Sequence, residues 1–148
     1  RDPYEFSAQL ALAKIVSIMV ERGHGEYSSE LVERYSNIAR YFPNYPSLVG
    51  TAATAVASAG EYELALEFAE LAIAGESRTQ SVPKAWYAKG VSLFVLGHED
   101  DGISALIIAT EQSGSEAARL SHRILAQIYR DRGDIQRADL HDSLSMGN

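Results

Sequence analysis

Three glycines recur at almost constant spacing along this chain, each between two helical patterns. Gly60 and Gly97 are 37 residues apart, and Gly97 and Gly133 are 36 apart. A glycine between two amphipathic segments is typical of a tight turn, because it adopts a left-handed conformation without a Cβ clash. A period in the mid-thirties with two helices per unit is typical of stacked helical hairpins. The glycines therefore predict an all-α fold built from repeated antiparallel helix pairs.

The segment 84–110 contains one such unit in full. Trp86 and Leu93 recur at helical spacing, Gly97 interrupts the pattern, and a second apolar face begins at Ile103. Similar hairpins precede and follow this segment, and the prolines fall between or before the expected helices. The sequence therefore predicts eight helices in three to four hairpins.

We expect these hairpins to form one domain over residues 1–148. The three regular hairpins are expected at 46–75, 82–112 and 115–145, after a divergent first hairpin at 1–43. The first hairpin matches the others only if its turn carries about three extra residues. Its first helix is expected to begin at an N-cap Asp2.

Residues typical of a repeated helical hairpin recur in the three regular hairpins. They are Gly60, Glu61, Tyr62, Ala65, Ala69 and Ala72 in the second hairpin, Trp86, Gly90, Leu93 and Gly97 in the third, and Leu125, Ala126, Tyr129, Gly133, Asp134 and Ala138 in the fourth. This pattern resembles that of tetratricopeptide repeats, and the resemblance covers about residues 46–145. It implies a right-handed α-α superhelix, a helical-hairpin solenoid of about three to four hairpins. Gly102 departs from the pattern, since the family has alanine there.

Composition restricts the classes of partner and compartment. A net charge of −7 argues against nucleic-acid binding, which requires a basic face. The longest apolar stretch, 10–20, is too short to span a bilayer, so no direct membrane insertion is expected. The absence of cysteine fits the cytosol and the periplasm alike. Because the chain begins at Arg1 rather than Met, we expect it to be a fragment or a processed form.

The sequence offers little support for catalysis or metal binding. No two of the four histidines are three or four residues apart, and there is no glycine-rich phosphate loop. The acidic run 99–101 is typical of a solvated helix start. We therefore expect no enzymatic activity, no cofactor and no metal site.

The resemblance implies that the first helix of each hairpin lines a concave groove. The expected function is a non-catalytic protein–protein interaction module that binds a peptide or helix there, as part of a larger bacterial envelope or assembly protein. Arg123 and Arg130, with Gln127 between them, are expected to favour an acidic ligand segment. The expected groove residues are Lys14, Ser17, Thr51, Thr54, Lys84, Tyr87, Val91, Phe94, Arg123, Gln127 and Arg130.

The alternative is a scaffold that forms homo-oligomers through its first helix. Apolar residues cover more of the circumference of that helix than packing against one neighbouring helix would bury. The residues expected to face the core are Leu12, Ile15, Val16 and Met19. The expected self-association residues are Leu10, Ile18, Val20, Ile107 and Ile108. The last helix, by contrast, is expected to have a polar outer face and to end the array near Ser145, since a terminal repeat needs such a face. Its thin apolar stripe is expected at Ile135, Ala138 and Leu144.

Overall fold

The computed structural model describes residues 3–77 and 82–147, and within them the chain forms eight α-helices and no β-strand. The predicted all-α class and number of helices are confirmed. The expected N-cap Asp2 lies outside the described residues. The helices are α1 (Pro3–Glu21), α2 (Ser28–Tyr41), α3 (Pro46–Ser58), α4 (Tyr62–Ala74), α5 (Pro83–Val95), α6 (Glu99–Ala109), α7 (Glu116–Asp131) and α8 (Ile135–Ser145).

The turn inside each hairpin has the same hydrogen bond. The glycine that ends the first helix has φ between 79° and 98°. The next amide then donates to the carbonyl five residues earlier, which is the bond of a Schellman motif. The four bonds are His24 to Met19 (3.0 Å), Glu61 to Val56 (3.2 Å), His98 to Leu93 (2.8 Å) and Asp134 to Tyr129 (2.8 Å).

The first hairpin has this turn and an insertion after it. Gly23 has φ 98°, and a 3₁₀ helix then runs from Gly25 to Tyr27 before α2 begins. These are the three extra residues that the sequence required in this turn. The insertion lies outside the hydrogen-bonded turn, so α2 still packs against α1.

Small residues allow each regular hairpin to close tightly. Gly90 of α5 and Gly102 of α6 face each other, and a Cβ added at Gly102 would lie 2.8 Å from the Gly90 carbonyl oxygen. The other two hairpins have alanine at the same sequence separations from their turn glycines, seven residues before and five residues after. These alanines are Ala53 and Ala65 in the second hairpin and Ala126 and Ala138 in the fourth, and all four are fully buried.

Buried side chains form two clusters. One joins α1 to α5 and includes Leu31, Val56 and Phe68, and the other joins α5 to α8 and includes Leu106 and Leu125. Helix α5 contributes to both, because it contacts α3, α4, α6 and α7. The two clusters therefore meet at the middle of the chain.

The expected core stripe of α1 is partly wrong. Val16 is buried, but Leu12 and Ile15 are exposed, and Ala13 takes the fully buried place. Leu12 is one residue before Ala13, which turns it by about 100° around the helix.

Helix α8 also differs from expectation. Ala138 is buried, whereas Ile135 and Leu144 of the expected apolar stripe are exposed, as is Leu140 at 57%. The polar His141 and Asp142 follow Ala138 by three and four residues and so share its face. The side of α8 that meets the rest of the molecule is therefore mostly polar.

Candidate functional site

A cavity of about 470 Å³ opens between the first helices of the hairpins. Its lining comes from α1, α3, α5 and α7, with one tyrosine each from α2 and α4. A pocket of this size is within the range that holds small ligands or side chains of a partner. Six of the expected groove residues line it, namely Ser17, Thr51, Thr54, Lys84, Tyr87 and Val91.

The α3 side of the cavity carries hydroxyl groups whose hydrogens are already in use. Thr51 Oγ1 donates to the Ser47 carbonyl and Thr54 Oγ1 to the Gly50 carbonyl, both at 3.0 Å. Thr54 also lies 3.3 Å from the Lys84 carbonyl of α5. Each hydroxyl oxygen keeps free lone pairs, so this wall accepts hydrogen bonds rather than donating them.

Tyrosine side chains supply the aromatic part of the lining. Burial raises the pKa of Tyr87. The charge of nearby Arg123 lowers this pKa in part, and Glu116 and Tyr62 raise it further. Burial likewise raises the pKa of Tyr35, against a hydrogen bond from Ser17 that lowers it. Both phenols are therefore neutral at physiological pH.

Three charged side chains line the cavity. Glu21 comes from α1, Lys84 from α5 and Glu116 from α7. None of the three forms a salt bridge within 4.0 Å with another described residue. The carboxylates of Glu21 and Glu116 thus have no counter-ion in contact within the described chain.

The other expected groove residues lie outside this lining. Phe94 packs with the second core cluster, and Lys14 is exposed on α1. Gln127 donates to Asp131 on its own helix at 2.8 Å. Arg123 is exposed on α7, and its charge lowers the pKa of Tyr87 in part.

Arg130 faces α8 rather than the cavity. Its guanidinium is hydrogen-bonded to the Asp142 carboxylate and lies 3.9 Å from Asp139. Of the two arginines that we expected to be free, only Arg123 is left without an acidic partner on α8, because Asp142 and Asp139 pair with Arg130.

The expected self-association residues are split between different environments. Leu10 and Val20 pack against the first core cluster, and Ile108 is half-buried on α6. Ile107 and Ile18 are exposed, at 44% and 48%. Ile18 shares its exposed face of α1 with Leu12 and Ile15, which are exposed by 46% and 54%.

One side-chain cluster was missed by the sequence analysis. His122 Nδ1 of α7 lies 2.9 Å from His141 Nδ1 of α8, and the His141 ring stacks on Tyr129 at 5.5 Å. The two histidines are 19 residues apart on facing helices, so no spacing within one helix reveals them. The repeat register could have revealed the pair. Ala126 and Ala138 face each other across the hairpin, and His122 and His141 each lie one helical turn away from them on the same side.

Other site classes have no support among residues 3–77 and 82–147. No group of three or more histidine, aspartate or glutamate side chains there is arranged to hold a metal ion. None of the helices described is long and apolar enough to cross a membrane.

Comparison with known proteins gives no identification. No protein-family model matches this chain, and a search of curated proteins finds no matching sequence.

Proposed function

We propose that this chain is a non-catalytic protein–protein interaction module, a tetratricopeptide-like superhelix that binds an extended peptide in the cavity described above. The single observation that carries the proposal is the cavity itself, which is lined by the first helix of every hairpin. A preformed concave surface lowers the ordering cost of binding, because the protein side is already fixed.

The repeated hairpin geometry supports this assignment. All four hairpins close through a left-handed glycine and the same hydrogen bond, and the three regular ones share small residues at the helix crossing. Residues of α3, α5 and α7 then reach one cavity from successive hairpins. Such a surface suits a ligand that runs across several repeats.

The test is whether filling the cavity abolishes peptide binding. A randomised heptapeptide library is displayed on phage and selected on the purified protein. We expect binders to the wild type and at least a 10-fold loss with Thr51→Trp, because the indole would occupy the cavity.

Ser104→Trp is the matched control. Ser104 is exposed on α6, away from the cavity lining, and like Thr51 donates its hydroxyl to the carbonyl four residues earlier. Failure to select any peptide, or equal binding by the two variants, would overturn the proposal.

A second candidate is self-association of two copies through α1. The observation that favours it is the exposed face formed by Leu12, Ile15 and Ile18, whose side chains recur every three residues on one side of the helix. We expect Ile15→Glu to lower the average mass measured by light scattering at high protein concentration.

Leu71→Glu on α4 is the control, since Leu71 is also exposed but lies on another helix. A wild type that remains a monomer at all concentrations would exclude this candidate.

A further inference from the structure

We propose that the cavity receives a basic side chain, lysine or arginine, from the peptide that it binds. This inference rests on the proposed peptide-binding function and names the chemistry of the ligand. The cationic head would be held between Glu21 of α1 and the hydroxyl oxygens of α3, with its aliphatic stem along the tyrosine rings.

The hydroxyl wall of α3 favours a ligand that donates hydrogen bonds. Thr51, Thr54 and Ser58 all line the cavity, and each donates its hydrogen to a backbone carbonyl of its own helix, at 3.0, 3.0 and 2.7 Å. Three oxygens on one helix face are therefore available as acceptors. A lysine ammonium or an arginine guanidinium carries only donors and complements such a wall.

Glu21 supplies the charge that such a ligand needs. Glu21 is part of the lining of the same cavity, from α1, and has no salt bridge to another described residue. On α7, Glu116 and Arg123 both lie close enough to Tyr87 for their charges to change its pKa, so a basic group is already present on that side. Glu21 has no described cation within 4.0 Å, and we place the basic side chain beside it.

The aromatic lining is compatible with a cation. Tyr62 and Tyr87 both reach the cavity, and the face of a phenol ring attracts ammonium and guanidinium groups. Lys84, the one lysine of the lining, is exposed and lies within salt-bridge distance of neither carboxylate. It does not take the place of the proposed ligand.

This assignment reverses the acidic ligand that the sequence suggested. The acidic ligand required Arg123 and Arg130 on one free face, and Arg130 is instead bonded to Asp142. The overall charge of −7 adds a long-range attraction for a basic segment.

Three biased heptapeptide libraries test the inference, each with a fixed central residue, either lysine, leucine or glutamate. We expect the lysine-centred library to give the strongest enrichment on the wild type. Glu21→Gln should weaken binding of the best lysine-centred peptide about 10-fold, as for loss of one charge-assisted hydrogen bond. Glu67→Gln, an exposed glutamate of α4, should leave it unchanged.

The outcomes separate the inference from the function on which it rests. Stronger enrichment of glutamate- or leucine-centred peptides, with binding still lost in Thr51→Trp, would overturn the basic ligand and leave the peptide-binding function standing. The basic ligand is likewise excluded if Glu21→Gln binds lysine-centred peptides as well as the wild type does. No binding by any library would overturn both.

Discussion

The absence of a Cβ atom at Gly90 and at Gly102 allows the two helices of the third hairpin to pack closely. Gly90 and Gly102 lie where the other regular hairpins have alanine, and each backbone occupies the space that the other's Cβ would need. A Cβ at Gly102 would be 2.8 Å from both the Gly90 oxygen and the Phe94 nitrogen. Backbone atoms of two packed helices cannot move aside as a flexible side chain can, so this crossing requires glycine.

We therefore expect Gly102→Ala to destabilise the fold by about 1–3 kcal/mol, despite the higher helix propensity of alanine. Urea unfolding followed by circular dichroism measures the change. Gly25→Ala is the control, because no atom lies within 4 Å of its added Cβ and its stability should be unchanged or slightly higher. An equal effect of the two substitutions would contradict the steric explanation.

At the scale of elements, α8 is held to α7 mainly by polar groups. Ala138 is its one buried apolar residue within the described chain, and the rest of the contact includes His141 against His122 and Asp142 against Arg130. Arg137 also lies over the Tyr129 ring at 5.3 Å. Polar side chains therefore form a large part of the contact between α8 and α7.

The histidine pair gives this attachment a pH dependence. One ring must donate and the other accept across 2.9 Å, so the contact needs at least one neutral imidazole. Burial lowers the pKa of His122, and burial together with the His122 charge lowers that of His141. The unfolded chain therefore binds more protons than the folded chain just below the ordinary pKa of about 6.5.

We expect the free energy of unfolding to be highest above about pH 6.5 and to fall as the pH drops through the lowered folded-state pKa values. Urea unfolding at a series of pH values between about 7.5 and 5 measures the slope. His122→Asn should flatten it, whereas His98→Asn, at an exposed turn, should leave it unchanged. A slope that is the same in all three proteins would exclude the pair as its source.

At the scale of the whole molecule, two buried clusters share one helix. The first is rich in alanine and larger residues from α1 to α5, whereas the second has few members and ends on α8. Local stability follows the buried apolar contacts of each region. The second half is therefore expected to open more readily than the first.

Leu125→Ala tests this division. Leu125 is fully buried in the second cluster, so the substitution should cost about 2–5 kcal/mol there. Hydrogen exchange should become faster in α6–α8 while the amides of α2 and α3 keep their protection. Uniform acceleration along the chain would instead indicate that the two clusters unfold as one.

Sequence reasoning succeeded where backbone geometry follows from local chemistry. The turn glycines Gly60, Gly97 and Gly133 were predicted and all have positive φ, and the eight predicted helices are present. Six of the eleven residues expected in the groove line the cavity, because their helix face follows from the repeat register.

Sequence reasoning failed where a side chain is placed by a neighbouring helix. The partner of Arg130 is an aspartate on α8, and that of His122 is a histidine on α8. Neither follows from spacing along one helix. The exposed Ile135 and Leu144 have the same origin, since hydrophobicity alone does not tell which face of a short helix meets its neighbour.

The turn between α1 and α2 closes before its extra residues begin. The hydrogen bond from the His24 amide to the Met19 carbonyl completes the turn. Gly25 and Glu26 follow it, and both residues are exposed to solvent. Tyr27 then packs against the core and fixes the start of α2. The segment 25–26 is therefore a natural place to graft an epitope or attach a fluorophore, since a longer connection there leaves both helices in register.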